Sequence, residues 1–217
     1  MSNKRLIVAL DTNNLSKAKE IVSHLNPEQC MVKVGLELFI SQREKILEYL
    51  TSENFEIFLD LKLHDIPNTV SKALEAIQEF NISMTTIHLK GGKDMIKAAS
   101  ETAGDIRLLG VSILTSLSEN EIELTYGIPF SNLFQRLLGI AQESKIDGLV
   151  CSSHELEYLK EFKGIKVVPG IRNQVVDDDQ KRVMSSSEAY ALGADHIVVG
   201  RPITDASDIQ KKIMEYS

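Results

Sequence analysis

The sequence predicts a (β/α)8 TIM barrel, and two observations carry this prediction. Short apolar, β-branched segments recur along the chain with polar, helix-like segments between them, and we count eight strand candidates. No linker or break in composition separates these units, so we expect one domain over residues 1–217. The competing fold is an open doubly wound sheet, whose Gly-rich phosphate loop follows the first strand. Here Asp11-Thr12-Asn13-Asn14 follows that strand without a glycine, which favours the barrel.

Each element is predicted from local composition and periodicity. The predicted strands are residues 5–10, 31–35, 55–63, 84–89, 106–114, 148–151, 165–168 and 196–200. The predicted helices are residues 14–25, 37–50, 69–80, 93–103, 132–143, 154–162, 185–192 and 205–215.

Composition limits the class of protein and its partners. The chain has 24 basic and 31 acidic residues and a net charge of -7, which argues against nucleic acid or an anionic membrane as the main partner. It contains no apolar stretch of 18 residues, and the first apolar run is too short for a signal peptide, so we expect a cytoplasmic protein. Cys30 and Cys151 lack metal-type spacing and lie in or beside apolar runs, which predicts buried free thiols.

The third predicted strand carries charges into an apolar run. Because strand side chains alternate, Phe58, Asp60 and Lys62 share one face of this strand. Two buried charges are costly, and a structural ion pair is one explanation for them. Asp65 follows in the loop, where a structural pair has no need of it. We therefore favour a preorganised charged site, in which Asp65 could serve a neighbouring subunit.

Polar residues mark the carboxyl ends of almost all the predicted strands, where barrel enzymes carry their active sites. Core packing alone would favour apolar residues there, so the pattern predicts a polar active site. Read in chain order, these residues are Asp11, Lys33, Asp60, Lys62, His88, Thr115, Ser116, Ser152, Arg172 and Arg201.

The last two strand ends predict an anion site. Gly200-Arg201-Pro202 combines a glycine that admits a ligand to the backbone with an arginine suited to phosphate. Arg172 begins a connection that reaches about residue 181, longer than the usual two to six or so residues, which predicts a closing lid with Gln180 at its far end. His64, Asp65 and His88 lack the spacing of metal ligands, and we predict no metal site.

Several of these motifs together resemble the orotidine 5'-phosphate decarboxylase family. The central one runs from Asp60 to Thr69, Asp-Leu-Lys-Leu-His-Asp-Ile-Pro-Asn-Thr. The others, in the family's order, are Val8-Ala9-Leu10-Asp11, Val32-Lys33-Val34-Gly35, Leu114-Thr115-Ser116, Pro169-Gly170-Ile171-Arg172, Asp179-Gln180 and Gly200-Arg201-Pro202. The resemblance implies a dimeric (β/α)8 barrel that converts orotidine monophosphate to uridine monophosphate without metal or organic cofactor.

The resemblance also implies roles for the charged residues. Lys62 resembles the general acid that protonates C6 of the pyrimidine, and Asp60 the carboxylate beside the substrate's own carboxylate. Asp65 resembles the acidic residue supplied to the partner subunit's site, with Ile66 and Thr69 on the same intruding segment.

The remaining matches imply substrate contacts. Asp11 and Lys33 resemble the residues that hold the ribose hydroxyls, with Lys33 part of the catalytic charge array. Thr115 and Ser116 resemble the pyrimidine-facing loop, and the phosphate and lid contacts would be Arg172, Gln180, Gly200 and Arg201. One departure is Leu89, where relatives usually carry a small residue. The alternative is a metal-dependent sugar-phosphate decarboxylase or aldolase of the same superfamily, which carries an acidic residue where this chain has Lys33.

Overall fold

Eight parallel strands close into a barrel in their sequence order, as the sequence predicts. The structure is a computed structural model that describes residues 4–114, 116–153, 155–173 and 184–216. The strands are β1 (Leu6–Ala9), β2 (Cys30–Gly35), β3 (Ile57–Leu63), β4 (Ile82–His88), β5 (Arg107–Val111), β6 (Gly148–Val150), β7 (Ile165–Pro169) and β8 (His196–Val199). Parallel pairing of β1 with β8 closes the cylinder. The prediction of a (β/α)8 TIM barrel is therefore confirmed.

Helices fill the connections between the strands. They are α1 (Leu15–Ser23), α2 (Leu36–Gln42), α3 (Glu44–Ser52), α4 (Pro67–Ile77), α5 (Gly92–Thr102), α6 (Glu119–Tyr126), α7 (Phe130–Glu143), α8 (Ser186–Ala191), α9 (Arg201–Thr204) and α10 (Ile209–Met214). Two short 3-10 helices accompany them, Leu89–Gly91 and Glu155–Leu159.

Some predicted boundaries were wrong. The single helix predicted over residues 37–50 is two helices, because Arg43 has a φ of 52° and interrupts the helix between α2 and α3. The helix predicted over 154–162 is the 3-10 helix Glu155–Leu159, and β5 ends at Val111, short of the predicted residue 114. Helices α6 and α9 were not predicted.

The core has two layers, and alternation along the strands separates them. Side chains on one face fill the inside of the barrel, namely Ile7, Ala9, Met31, Phe58, Met84, Leu109, Val167 and Val198. Their sequence neighbours, such as Val8 and Leu59, face the helices and belong to the larger outer cluster. Phe58 therefore lies on the inner face and Leu59 on the outer face, so the same alternation directs Asp60 and Lys62 to the barrel's mouth.

Two other sequence predictions can be compared with the structure. Cys30 and Cys151 are buried free thiols, as predicted. Among the described residues, every helix is too short or too polar to cross a lipid bilayer.

Candidate active site

A cavity of about 310 Å³ opens at the carboxyl ends of the strands. Among the described residues, every strand except β4, or the loop that follows it, contributes to the lining. The lining includes eight residues that the sequence placed at this rim or site: Asp11, Lys33, Asp60, Lys62, Ser152, Arg172, Gly200 and Arg201. Polar residues from six of the eight strands, or from the loops that follow them, thus converge on one space.

Four of these side chains form a row of alternating charge. The Lys62 ammonium donates to both carboxylate oxygens of Asp60, at 2.8 Å each. The Lys33 ammonium lies 4.0 Å from Oδ2 of Asp60 and donates to Oδ1 of Asp11 at 3.2 Å. Each interior member of the row therefore has an opposite charge on both sides, in the order Asp11, Lys33, Asp60, Lys62.

Because the row is largely buried, it would destabilise the fold unless each charge had a partner of opposite sign. Asp60 is only 8% exposed, and the side chains of Lys33 and Lys62 are 14% and 31% exposed. Removal of charged groups from water costs several kcal/mol per ion unless partners compensate. The two lysines next to Asp60 supply that compensation, and they fix its carboxylate in one orientation.

Lys62 lies at an irregular point of β3. Its φ is 51°, in the left-handed region that a residue with a side chain rarely adopts, and the pairing of β3 with β4 shifts register between Leu59 and Leu63. The backbone N–H of Lys62 donates to the hydroxyl of Thr86 on β4, at 2.8 Å. The same hydroxyl donates to Oδ1 of Asp60, at 2.9 Å. At this irregular point the Thr86 hydroxyl thus contacts both members of the Asp60–Lys62 pair.

Two glycines leave room for the charged row. A Cβ atom on Gly35 would lie 3.0 Å from Nζ of Lys33. A Cβ atom on Gly200 would lie 3.1 Å from Oδ2 of Asp11. A side chain at either position would therefore compete for space with one end of the array.

Another part of the cavity lining is cationic. Arg201 begins helix α9 directly after Gly200, and Arg172 follows β7. Arg172 is 7% exposed, and its backbone N–H donates to the carbonyl of Met184 at 3.0 Å. Two guanidinium groups in the lining give this end the charge and donor geometry suited to a phosphate.

Other predicted site residues lie apart from the cavity or outside the described residues. Asp65, Ile66 and Thr69 occupy the loop after β3 and the first turn of α4, where all three are exposed and lie outside the described lining. The Asp65 carboxylate accepts the backbone N–H of Ile66 at 2.7 Å. Ser116 is exposed and also lies outside the described lining. Thr115 and Gln180, with most of the predicted lid, are outside the residues that the structure describes.

His88 was expected at the rim but lies beside the cavity. Its ring is 5.3 Å from that of His64, centroid to centroid. Burial, followed by the nearby charge of Lys90, lowers the pKa of His88 to about 4, so this imidazole is neutral near pH 7. Within the described ranges, no cluster of three or more His, Cys, Asp or Glu side chains is arranged to hold a metal ion.

Leu89 packs on the helix side of the barrel. Its side chain is fully buried in the outer cluster, where a Cβ atom on Gly110 would lie 2.6 Å from its Cδ2 atom. The glycine on β5 therefore makes room for the larger residue on the helix side of the barrel.

Sequence reasoning missed two residues of the site. Glu155 is 2% exposed and lines the cavity, where it accepts hydrogen bonds from the Ser112 hydroxyl and the Ser152 backbone N–H, both at 2.6 Å. The sequence predicts a helix over residues 154–162, in which a glutamate is ordinary. Thr86 lies in the run Met84-Thr85-Thr86-Ile87, where β-branched threonine is typical of a strand. Neither pattern signals a polar contact.

Comparisons with known proteins agree over nearly the whole chain. The model of the orotidine 5'-phosphate decarboxylase / HUMPS family matches residues 4–216. The orotidine 5'-phosphate decarboxylase of Shewanella sediminis is 41% identical over 96% of this chain and 93% of that protein. The orotidine 5'-phosphate decarboxylase of Hydrogenovibrio crunogenus is 42% identical over 94% of this chain and 90% of that protein. The crystal structure of orotidine 5'-phosphate decarboxylase from Lactobacillus acidophilus aligns with a TM-score of 0.87 at 36% identity, covering 99% of both chains.

Proposed function

The chain belongs to the orotidine 5'-phosphate decarboxylase / HUMPS family, and we propose that it converts orotidine 5'-monophosphate to uridine 5'-monophosphate and carbon dioxide. This reaction is the last step of pyrimidine nucleotide synthesis. The observation that carries the proposal is the alternating row of Asp11, Lys33, Asp60 and Lys62 at the mouth of the barrel.

The chemistry requires charge stabilisation from outside the substrate. When the bond between C6 and the carboxylate breaks, its electron pair stays on C6, where no adjacent carbonyl can absorb it. An ammonium about 4 Å away interacts with such a charge by about 4 kcal/mol at an effective dielectric constant of about 20. Lys62 supplies this field and then donates a proton to C6, after which its amine regains a proton from solvent.

Asp60 contributes through its position. It holds the Lys62 ammonium at 2.8 Å, and in the proposed complex it lies beside the carboxylate of the substrate. Two carboxylates close together repel each other, and loss of carbon dioxide relieves that repulsion. Asp11 and Lys33 would hold the ribose hydroxyls at the other end of the row.

The phosphate would bind at the cationic side of the cavity. Gly200, Arg201 and Arg172 line that side, and we propose that they hold the phosphate, with Gln180 as a further contact. One lysine cannot account for the barrier reduction of roughly 8 to 23 kcal/mol that enzymes achieve. Binding energy from the phosphate, remote from the reacting carbon, would supply part of the remainder. Thr115 and Ser116 stay predicted contacts to the pyrimidine.

We further propose a homodimer in which Asp65, Ile66 and Thr69 reach the active site of the partner subunit. A second opening of about 130 Å³ adjoins the charged row and is bordered by Gly35 and the start of α2. Lys33 and Lys62 line this opening together with Asp11, Glu37 and Asp60, so a residue of a second subunit that entered it would meet the charged row directly. Asp65 is exposed, and Ile66 is 66% exposed although it is apolar, which is consistent with contact to a second subunit.

Loss of the ultraviolet absorbance of orotidine monophosphate on addition of purified protein tests the proposed reaction. We expect the wild-type protein to convert the substrate and Lys62→Ala to have no detectable turnover. The matched control is Lys72→Ala, which removes an exposed lysine of α4 that pairs with Glu75 and lies outside the described lining. Substantial turnover by Lys62→Ala would refute the role assigned to Lys62.

A chelator separates this reaction from that of a metal-dependent relative. We expect turnover to be unchanged in excess EDTA. Activity lost with EDTA and restored by magnesium would favour the sugar-phosphate enzymes of the superfamily.

The expected cytoplasmic location stays a prediction. We also propose that residues 1–217 act as one domain, because the elements of a single barrel run from Leu6 to Met214.

A further inference from the structure

We propose that Thr86 is a positioning residue for the Asp60–Lys62 pair, and this inference rests on the proposed decarboxylase function. Strand β4 is the one strand absent from the described cavity lining. It contacts the charged pair through Thr86, whose side chain is fully buried.

The single hydroxyl of Thr86 contacts both members of the pair. As a donor it binds Oδ1 of Asp60 at 2.9 Å, and as an acceptor it binds the backbone N–H of Lys62 at 2.8 Å. A hydroxyl has one proton to donate, so its donor capacity is fully used. Thr86 therefore holds the carboxylate at its charged end and the lysine at its backbone.

The second contact explains how β3 tolerates its bulge. Lys62 adopts a positive φ where the β3–β4 register shifts, and a bulge leaves backbone groups without their usual strand partners. The Thr86 hydroxyl accepts the N–H of Lys62 at this point. Without the hydroxyl, the backbone N–H of Lys62 would lose its hydrogen bond at the bulge. The Lys62 ammonium would then no longer be held in one position relative to the reacting carbon.

The neighbouring residue offers a matched control. Thr85 is also fully buried on β4, and its hydroxyl donates to the carbonyl of Leu59 at 2.9 Å. Thr85→Val and Thr86→Val each exchange a buried hydroxyl for a methyl group of similar size. Only the Thr86 change touches the pair.

Steady-state kinetics on orotidine monophosphate test the positioning role. We expect Thr86→Val to lower kcat by on the order of 10- to 100-fold with KM changed by less than about threefold, because the lost hydrogen bonds orient the reacting groups more than they bind substrate. Thr86→Ser, which keeps the hydroxyl, should recover most of the rate. Thr85→Val should keep the wild-type kcat. A wild-type kcat in folded Thr86→Val, or equal losses in both valine variants, would overturn the proposal.

Amide hydrogen exchange supplies a readout that does not depend on activity. The Lys62 amide should exchange faster in Thr86→Val than in the wild type, Thr86→Ser and Thr85→Val proteins. Unchanged protection at Lys62 in Thr86→Val would overturn the proposal even if the wild-type protein had no decarboxylase activity. A wild-type protein without decarboxylase activity would contradict the proposed function separately.

If Thr86→Val does not fold, the variants Thr86→Ser and Thr86→Ala replace it, because they differ by the hydroxyl alone. Equal kcat and equal Lys62 exchange in that pair would overturn the proposal.

Discussion

Gly35 controls the position of Lys33 by lacking a side chain. Its φ of -93° and ψ of -177° are open to any residue, so alanine can adopt this backbone without strain. The added methyl carbon would nevertheless lie 3.0 Å from the Lys33 ammonium. This position therefore separates an effect on the charged row from an effect on folding.

We expect Gly35→Ala to lower kcat/KM by on the order of 10-fold while the melting temperature stays close to that of the wild type, because small displacements of catalytic groups are costly. Gly139→Ala in α7 is the control, since a Cβ atom there meets nothing within 4 Å. That change should leave activity unchanged and stabilise the helix by roughly 0.5 to 1 kcal/mol. Wild-type kinetics for Gly35→Ala would mean that Lys33 has room to move.

His88 predicts a specific acid sensitivity. Its pKa in the folded protein is lowered to about 4, below the value of about 6.5 expected in the unfolded chain. The unfolded state therefore binds more protons than the folded state as the pH falls from about 6.5 towards 4, and the free energy of unfolding decreases across that range. Above about pH 6.5 the imidazole is neutral in both states and makes no pH-dependent contribution.

Urea unfolding of wild type and His88→Phe at pH 7 and pH 5 measures this contribution. Wild type should lose more stability between the two pH values, by on the order of 1 kcal/mol after allowance for solvent screening of this partly buried group. His196, whose pKa is also lowered by burial, is present in both proteins and cancels in the difference. Identical pH dependence would show that His88 titrates as it does in the unfolded chain.

At the scale of elements, the alternation of side chains along a strand predicted side-chain direction better than apolar periodicity predicted where the helices begin and end. The inward direction of Phe58, Asp60 and Lys62 followed from the two-residue period of a strand, and the inner and outer clusters agree with it. The break at Arg43 depends on a single φ value that no apolar pattern encodes. The hydrogen bonds of Thr86 depend on the register between β3 and β4, which the separate strand patterns do not fix.

The short element α9 carries a prediction about remote binding energy. It begins at Arg201, one of the proposed phosphate ligands, directly after β8. We expect Arg201→Ala to lower kcat/KM by about 10- to 100-fold, the value of a charge-assisted hydrogen bond, with part of the loss in kcat because phosphate binding also favours the reactive geometry. Arg136→Ala on the exposed face of α7 is the control and should behave as wild type. An unchanged turnover number for Arg201→Ala at saturating substrate would contradict this coupling.

At the scale of the whole molecule, the sequence predicted the closed barrel and the charges at its mouth, because both depend on patterns within single strands. The prediction that Asp65 serves the partner subunit came from the family resemblance and not from these patterns, since it depends on the surface of a second copy. The structure leaves Asp65 exposed after β3, while Asp60 and Lys62 of the same strand line the cavity. A shared site between two subunits makes a quantitative prediction that a self-contained site does not.

Mixing two inactive variants tests the shared site. If Asp65 completes the partner subunit's site, a dimer of one Lys62→Ala chain and one Asp65→Ala chain has one site with both changes and one site with neither. After random exchange in equal amounts, half of the dimers are mixed and half of their sites are intact, so activity should reach about a quarter of the wild-type value by the symmetry of a two-fold dimer. Recovery should depend on time and protein concentration, because the subunits must dissociate and reassociate. If Asp65 serves its own chain, no mixed dimer contains an intact site, and the mixture stays as inactive as its components even when mass measurements confirm that mixed dimers have formed.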